Sequence, residues 1–308
     1  MARKRRGDPV HGWLVIDKEP GITSAKVVYK ARKILNAAKV GHSGTLDPLA
    51  TGVLPLAFGE ATKTVSYMMD GKKEYRFTVQ WGEARDTDDA EGVVIETSDH
   101  RPNEDEIKAK LGNFIGEIEQ VPPAYSAIKV DGERAYKLAR AEKSVELKAR
   151  KIFIERFELL EMPDADHATF EVTSGKGVYI RGLARDLARE LGTVGHISAL
   201  RRTRVGPFNE KDAISLDKLE ELGHNTAAVD ILRPVETALD DIPALALTED
   251  EARRLRCGQS VSALDVAKRT PLTDIDQGAT ICAMADGKVV ALARIEGGEI
   301  RPFRVLNF

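Results

Sequence analysis

Unbroken apolar runs and strictly alternating ones divide the first half of the chain. The runs over 13–16 and 53–58 are short and continuous, and the second is bounded by Gly52 and Gly59, so each predicts a strand. The run over 53–58 suits a strand buried on both faces. Between them Val27, Val28, Ala31, Ile34 and Leu35 recur at helical spacing behind a cap at Thr23 or Ser24. Lys26, Lys30 and Lys33 fall on the opposite, exposed face of that helix. Over 74–81 the pattern becomes alternation, with Tyr75, Phe77, Val79 and Trp81 on one side and Glu74, Arg76, Thr78 and Gln80 on the other. That is a half-buried strand, and 92–96 reads as its hairpin partner.

Asn103 then caps an amphipathic helix carrying Ile107, Leu111, Phe114 and Ile115, with Glu104, Asp105 and Glu106 complementing its dipole. Strands are predicted over 153–160, 168–174 and 178–180, and a helix over 182–192 with Leu183, Leu187 and Leu191 on its core stripe. Arg181 stands at the strand-to-helix junction, and Arg185 and Arg189 lie one turn apart. Prolines and acids near 238–243 mark a boundary. Beyond it a short helix over 248–256 and alternating strands over 289–307 suffice for a small β-rich domain.

Two stretches break the periodicity. Residues 1–8 read as a disordered basic tail. From 122 to 151 the apolar pattern weakens and the charge turns basic, with Lys129, Arg134, Lys137, Arg140, Lys143, Lys148, Arg150 and Lys151 against four acids, which suggests an excursion that meets a polyanion. The net charge of −3 argues weakly against a nucleic-acid partner, but its distribution matters more. No acid lies between Ser24 and His42, where five basic residues do, so one basic face with an acidic back fits, as does a solvated mosaic.

Composition excludes several classes. No apolar run approaches eighteen residues, and the run over 13–16 is too short for a signal-peptide core, so a cytoplasmic protein is expected. Cys257 and Cys282 form no CxxC pattern and the histidines show no ligand spacing, which implies neither a disulfide framework nor a zinc site. The acidic loop over 86–91 lacks the ligand and glycine positions of a calcium loop, and Gly175, Lys176 and Gly177 lack those of a phosphate loop.

Gly41, Gly44, Gly52 and Pro48 fall within twelve residues, so this segment is a loop whose backbone needs unusual dihedrals or a close approach to something. Its only ionisable side chains are His42 and Asp47. A carboxylate held beside a buried strand is a candidate for chemistry, while Asp before Pro in a Gly-rich segment also makes an Asx-turn or a helix cap.

The string GHSGTLDPLATGVLP over 41–55 resembles the signature segment of the TruB family, the tRNA pseudouridine-55 synthases. GWLVIDKEPGITS, GEATK, KEYRF, PAYSAIKVDGERAY, SGKGVYIR and LRRTRVGPF follow the family motifs in order, covering about the first 210 residues well and the rest loosely. The resemblance implies an α+β fold: a mixed, largely antiparallel central sheet with flanking helices and a thumb-like insertion, plus a small β-rich, PUA-like C-terminal domain. The catalytic domain is then expected over 9–240, the thumb over 122–151 and the C-terminal RNA-binding domain over 243–308.

The implied reaction breaks the N1–C1′ bond of a uridine, turns the base and joins C5 to C1′. Positive charge builds on the sugar, which one carboxylate can stabilise or trap without metal or cofactor. By resemblance that carboxylate is Asp47, which attacks C1′, attacks the ring or removes a ribose proton. Its ionised form needs a cationic partner, and the family implies Arg181. Tyr75 is the implied stacking residue beneath a base flipped from the T-loop, and His42 the residue that enters the vacated space. Tyr179 and Leu200 match pocket-lining positions, and Lys18 and Lys63 match motif lysines with roles in structure or RNA contact. The implied partner is the T-stem-loop of tRNA, bound by a monomer without a guide RNA and away from any membrane. An RNA-binding or tRNA-folding module without required catalysis is the competing class, since the basic face alone supports it equally.

Overall fold

The computed structural model describes residues 7–308 except 127, 131, 136–137, 139–140, 142–146, 224–228 and 271–276. In chain order its strands begin with β1 (Gly12–Lys18), β2 (Val40–His42), β3 (Thr51–Phe58), β4 (Lys73–Trp81), β5 (Glu83–Arg85), β6 (Val94–Thr97) and β7 (Gly116–Gln120). They continue with β8 (Lys129–Val130), β9 (Glu133–Arg134), β10 (Arg150–Asp164), β11 (His167–Ser174), β12 (Gly195–Val205) and β13 (Phe208–Asn209). Nine of these form one sheet in the order β1-β3-β12-β4-β11-β10-β7, with β2 on β3 and β13 on β12. Among the described residues every neighbour pair in it is antiparallel except β3 with β12. Helices α1 (Ser24–Ile34), α2 (Val65–Asp70), α3 (Glu104–Leu111), α4 (Ile180–Glu190) and α5 (Leu216–Leu222) accompany it.

The two apolar patterns have a common physical explanation. Leu14 and Ile16 of β1 and Leu54, Leu56 and Phe58 of β3 point into a core shared with α1, α3 and α4. Their alternates Trp13, Val15, Val53 and Ala57 point the other way, into a second core with Cys282, Val289, Leu292 and Leu306. Those last four belong to the C-terminal segment, whose strands β14 (Ala244–Ala246), β15 (Val261–Ser262), β16 (Thr280–Ala285), β17 (Lys288–Glu296) and β18 (Glu299–Val305) form a sheet in the order β14-β16-β17-β18-β15. Strands covered on both faces are apolar throughout. Beside them, β4 buries Phe77, Val79 and Trp81 on one face and turns Arg76 outward to pair with Glu171. Uncovered, that face stays polar.

At Gly52 the parallel approach of β3 to β12 is closest. A Cβ there would lie 2.2 Å from the Arg202 carbonyl oxygen, and φ is +96°, so a glycine is required on both counts. This is the close approach that the glycine-rich segment demanded.

Several expectations are corrected. Residues 92–96 do not pair with β4: the chain turns out at Gly82, and β6 pairs with β5 in a separate two-stranded sheet. Residues 178–180 form no strand; Tyr179 is the N-cap of α4, and Val178 and Ile180 pack into the core instead. Arg181 therefore lies in the first turn of the helix. The glycine-rich loop starts later than expected, because Val40–His42 pairs with β3. The helix over α3 ends at Leu111, leaving Phe114 buried in a 3-10 turn and Ile115 exposed. Much of the basic excursion, including Lys137, Arg140 and Lys143, and most of the N-terminal tail fall outside the described residues.

Candidate active site

The core-facing row of β4 runs Trp81, Val79, Phe77, Tyr75, and its first three side chains are buried. Tyr75 continues the row past the point where α4 begins, so its ring is only partly covered and lines a cavity of about 330 Å³. Asp47, Leu200, Tyr179, Arg181, Met69, Ser126 and Arg150 are among the other residues around it. Aromatic rings, one carboxylate and two guanidinium groups thus converge on a space of nucleoside size.

The loop over 43–50 is strapped down from below. Ser24 at the start of α1 bonds both the N–H and the carbonyl of Leu46, and Gly21 N–H donates to the Pro48 carbonyl. Lys18, buried at the end of β1, donates from Nζ to the carbonyls of Glu19, Ile22 and Pro48. Held between these ties, the Asp47 side chain remains 39% exposed and faces Arg181. Among the described residues no backbone N–H donates to the carboxylate, so the Asx-turn and cap alternatives do not describe it.

Arg181 is 5% exposed and fixed on every side. Its Nη1 donates to the Thr87 carbonyl at 2.6 Å and its Nη2 to the Tyr125 carbonyl at 2.8 Å. Its Nε lies 3.0 Å from Asp47 Oδ2 and its Nη1 3.5 Å from Asp89 Oδ2. The Nε contact is an ion pair by distance, while the N–H points aside from a true hydrogen bond. Upstream, the amide of Gln120 brackets Tyr179, donating to its carbonyl and accepting from its N–H, which sets where the helix starts.

The acidic loop over 86–91, featureless as a calcium site, is the seat of these arginines. Asp89 is buried, accepts from Thr87 Oγ1 and Glu91 N–H, and faces Arg181. Asp88 binds Arg185 Nη1 at 3.0 Å, and burial pushes its carboxyl up to about 6 against the pull of Arg185 and Arg181. The signal was present in the sequence as acids at 86–91 matched by Arg181 and Arg185 at a four-residue spacing. Their pairing spans about ninety residues, which no local pattern exposes.

Arg202 was also missed. It is fully buried, donates from Nε to the Val53 carbonyl and from Nη2 to the Gly44 carbonyl, and interacts electrostatically with the Tyr75 side chain. It thereby ties the two ends of the Asp47 loop together. Burial, followed by repulsion from Arg202, holds His42 below the ordinary imidazole range, so its ring is neutral at pH 7. Arg150, at the start of β10, lies 4.9 Å from the centre of the Tyr179 ring and donates to the Gly177 carbonyl.

Of the residues singled out in the sequence, Asp47, Arg181, Tyr75, Tyr179 and Leu200 surround one cavity. His42 stands at the entrance to the loop and Lys18 beneath it. Lys63 is elsewhere: its Nζ binds Glu60 and the Val305 carbonyl, tying the C-terminal sheet to the body.

Burial lowers Lys18 to about 8, with Asp47 opposing the shift. Below that pH its three N–H donors match three carbonyls; above it the neutral amine has two, and one carbonyl meets a lone pair. Turnover is therefore expected to fall as pH rises through about 8. Lys18→Met should lose about tenfold in kcat, the scale of one buried charge-assisted bond, and show no limb there. A limb that persists in the variant assigns the titration elsewhere, Lys73 being the other lysine among the described residues lowered to about 8 by burial.

Comparison with known proteins places this geometry. Residues 32–180 match the TruB family pseudouridylate synthase N-terminal domain, and residues 181–240 match the tRNA pseudouridylate synthase B C-terminal domain. The chain is 61% identical to the tRNA pseudouridine synthase B of Rhodospirillum rubrum, covering 100% of both chains. It is 57% identical to that of Gluconacetobacter diazotrophicus, covering 99% of this chain and 100% of the relative. A chain in the structure of an H/ACA RNP bound to a substrate RNA containing 2′-deoxyuridine superposes with a TM-score of 0.74 at 25% identity, over 100% of this chain and 92% of that one. With full-length identity of this order and both domain models in register, the chain belongs to the TruB family of pseudouridylate synthases.

Proposed function

We propose that this chain is a tRNA pseudouridine synthase acting on the T-loop uridine at position 55, with Asp47 as the reacting carboxylate and Arg181 as its cationic partner. The observation that carries the reading is the 3.0 Å pairing of Asp47 with Arg181 beside a cavity that Tyr75, Tyr179 and Leu200 line. The aromatic and apolar walls suit a flipped base, and the carboxylate sits where charge develops on the sugar or ring. Tyr75 serves as the stacking platform, Tyr179 and Leu200 as walls, and His42 as the ring that fills the space left in the T-loop.

The reaction is balanced within the substrate: N1–C1′ breaks, C5–C1′ forms, the proton on C5 is released and N1 ends protonated. Asp47 meets the charge that develops at C1′ or on the ring. The chain works without a guide RNA and as a single copy; the basic excursion over 122–151, which resembles a bacterial-type thumb, supports the first part of that reading. Cytoplasmic action on tRNA accords with it, and no described helix is long and apolar enough to cross a membrane. Residues 9–240 are assigned as the catalytic domain, 122–151 as its thumb and 243–308 as a PUA-like RNA-binding domain.

A transcript labelled with tritium at uracil C5 tests this. One tritium per tRNA should be released, with the product mapped to the T-loop. Tight binding with no release would instead leave an RNA-folding module.

A further inference from the structure

The exposed face of α1 carries a feature that the pocket chemistry does not use. Tyr29 is 67% exposed, and Lys26, Lys30 and Lys33 flank it at three residues before and one and four after. With Ile34 and Glu220 of α5 they line a groove of about 370 Å³. Lys30 reaches Glu220 only at 3.9 Å, and Lys26 and Lys33 have no ion-pair partner among the described residues. Lys26 also stands in the first turn of a helix whose first turn holds no acid, where the dipole disfavours a cation. Among the described residues no acid pairs with Lys26 to offset that placement.

The groove lies on the helix that also braces the Asp47 loop. Ser24, the first residue of α1, is bonded to Leu46 beside Asp47, and Lys33 lies about 14 Å further along the helix axis. We infer that this face is a second RNA contact, stacking one unpaired base of the substrate RNA on Tyr29 and holding its flanking phosphates with Lys26, Lys30 and Lys33. An aromatic ring set among cations is the arrangement that single-stranded RNA recognises. The inference rests on the proposed function for the identity of that RNA.

The test uses full-length tRNA transcript and an Asp47→Asn background, so that bound RNA stays unmodified, with binding measured across a salt series. Tyr29→Ala should weaken binding about tenfold with an unchanged salt slope, because stacking is not ionic. The triple variant Lys26→Gln, Lys30→Gln, Lys33→Gln should flatten the slope by about 2, the value for three single-strand phosphate contacts. In the active protein both changes should raise KM and leave kcat intact. Affinity within twofold of wild type and an unchanged slope would overturn the inference. So would loss of binding to a polyglutamate peptide with RNA binding unaffected, which would mark an acidic protein partner. Uridine conversion by the wild type is followed on the same samples, so failure of the catalytic reading shows as absent conversion and leaves the groove to be judged by binding.

Discussion

Asp47→Asn should convert no T-loop uridine detectably, a loss of about 10⁴-fold or more in kcat, as expected when the reacting group itself is removed. The substitution keeps the size of the side chain and removes only its charge and nucleophilicity. The loop will hold its place, because its ties run through Ser24, Gly21 and Lys18 rather than through the carboxylate. Binding of tRNA should stay within about threefold, or tighten, since a negative charge leaves an RNA-facing pocket. Single-turnover conversion and equilibrium binding on the same transcript decide the matter. Residual conversion within tenfold of wild type would remove Asp47 from the chemistry, and a parallel loss of binding would make it a contact residue.

The second large effect is expected at Arg181. Its guanidinium meets four groups at once, donating to the carbonyls of Thr87 and Tyr125 and pairing by charge with the carboxylates of Asp47 and Asp89. A lysine offers one centre of charge and cannot span that fork, so Arg181→Lys should cost about 10²-fold to 10³-fold in kcat while the protein stays folded. Arg181→Met removes the cation altogether and leaves Asp89 buried without it, which should destabilise by about 3 kcal/mol, read as a lowered urea midpoint. If the lysine variant retains full turnover, Arg181 acts only as a structural anchor. If the methionine variant is as stable as wild type, Asp89 is not held by this pair.

Legibility in the sequence followed the range of the interactions concerned. The cap at Asn103, a cap at Thr23 or Ser24 and the alternation of β4 are local, and each is present, with Thr23 as the cap of α1; the glycine-rich loop is local too, though β2 takes its first residues. Local reading failed where neighbours in sequence are not neighbours in the sheet. Residues 92–96 look like a hairpin partner for β4, but β11 and β12 occupy both of its edges. Val178–Ile180 has the composition of a strand and sits where Gln120 fixes a helix start.

The candidate site divides the same way. Asp47, Arg181, Tyr75, Tyr179 and Leu200 are recognisable through their motifs, while Asp89 and Arg150 are not, and Arg202, though inside LRRTRVGPF, shows no site role from sequence. Residue type, periodicity and capping are properties of adjacent positions, so strands, caps and the reactive loop follow from the chain alone. That Asp89 faces Arg181, and that Arg202 bonds Val53 and Gly44 at once, depends on strand order and on the parallel contact of β3 with β12. Burial makes those partnerships necessary: a guanidinium out of water must find acceptors wherever the fold brings them.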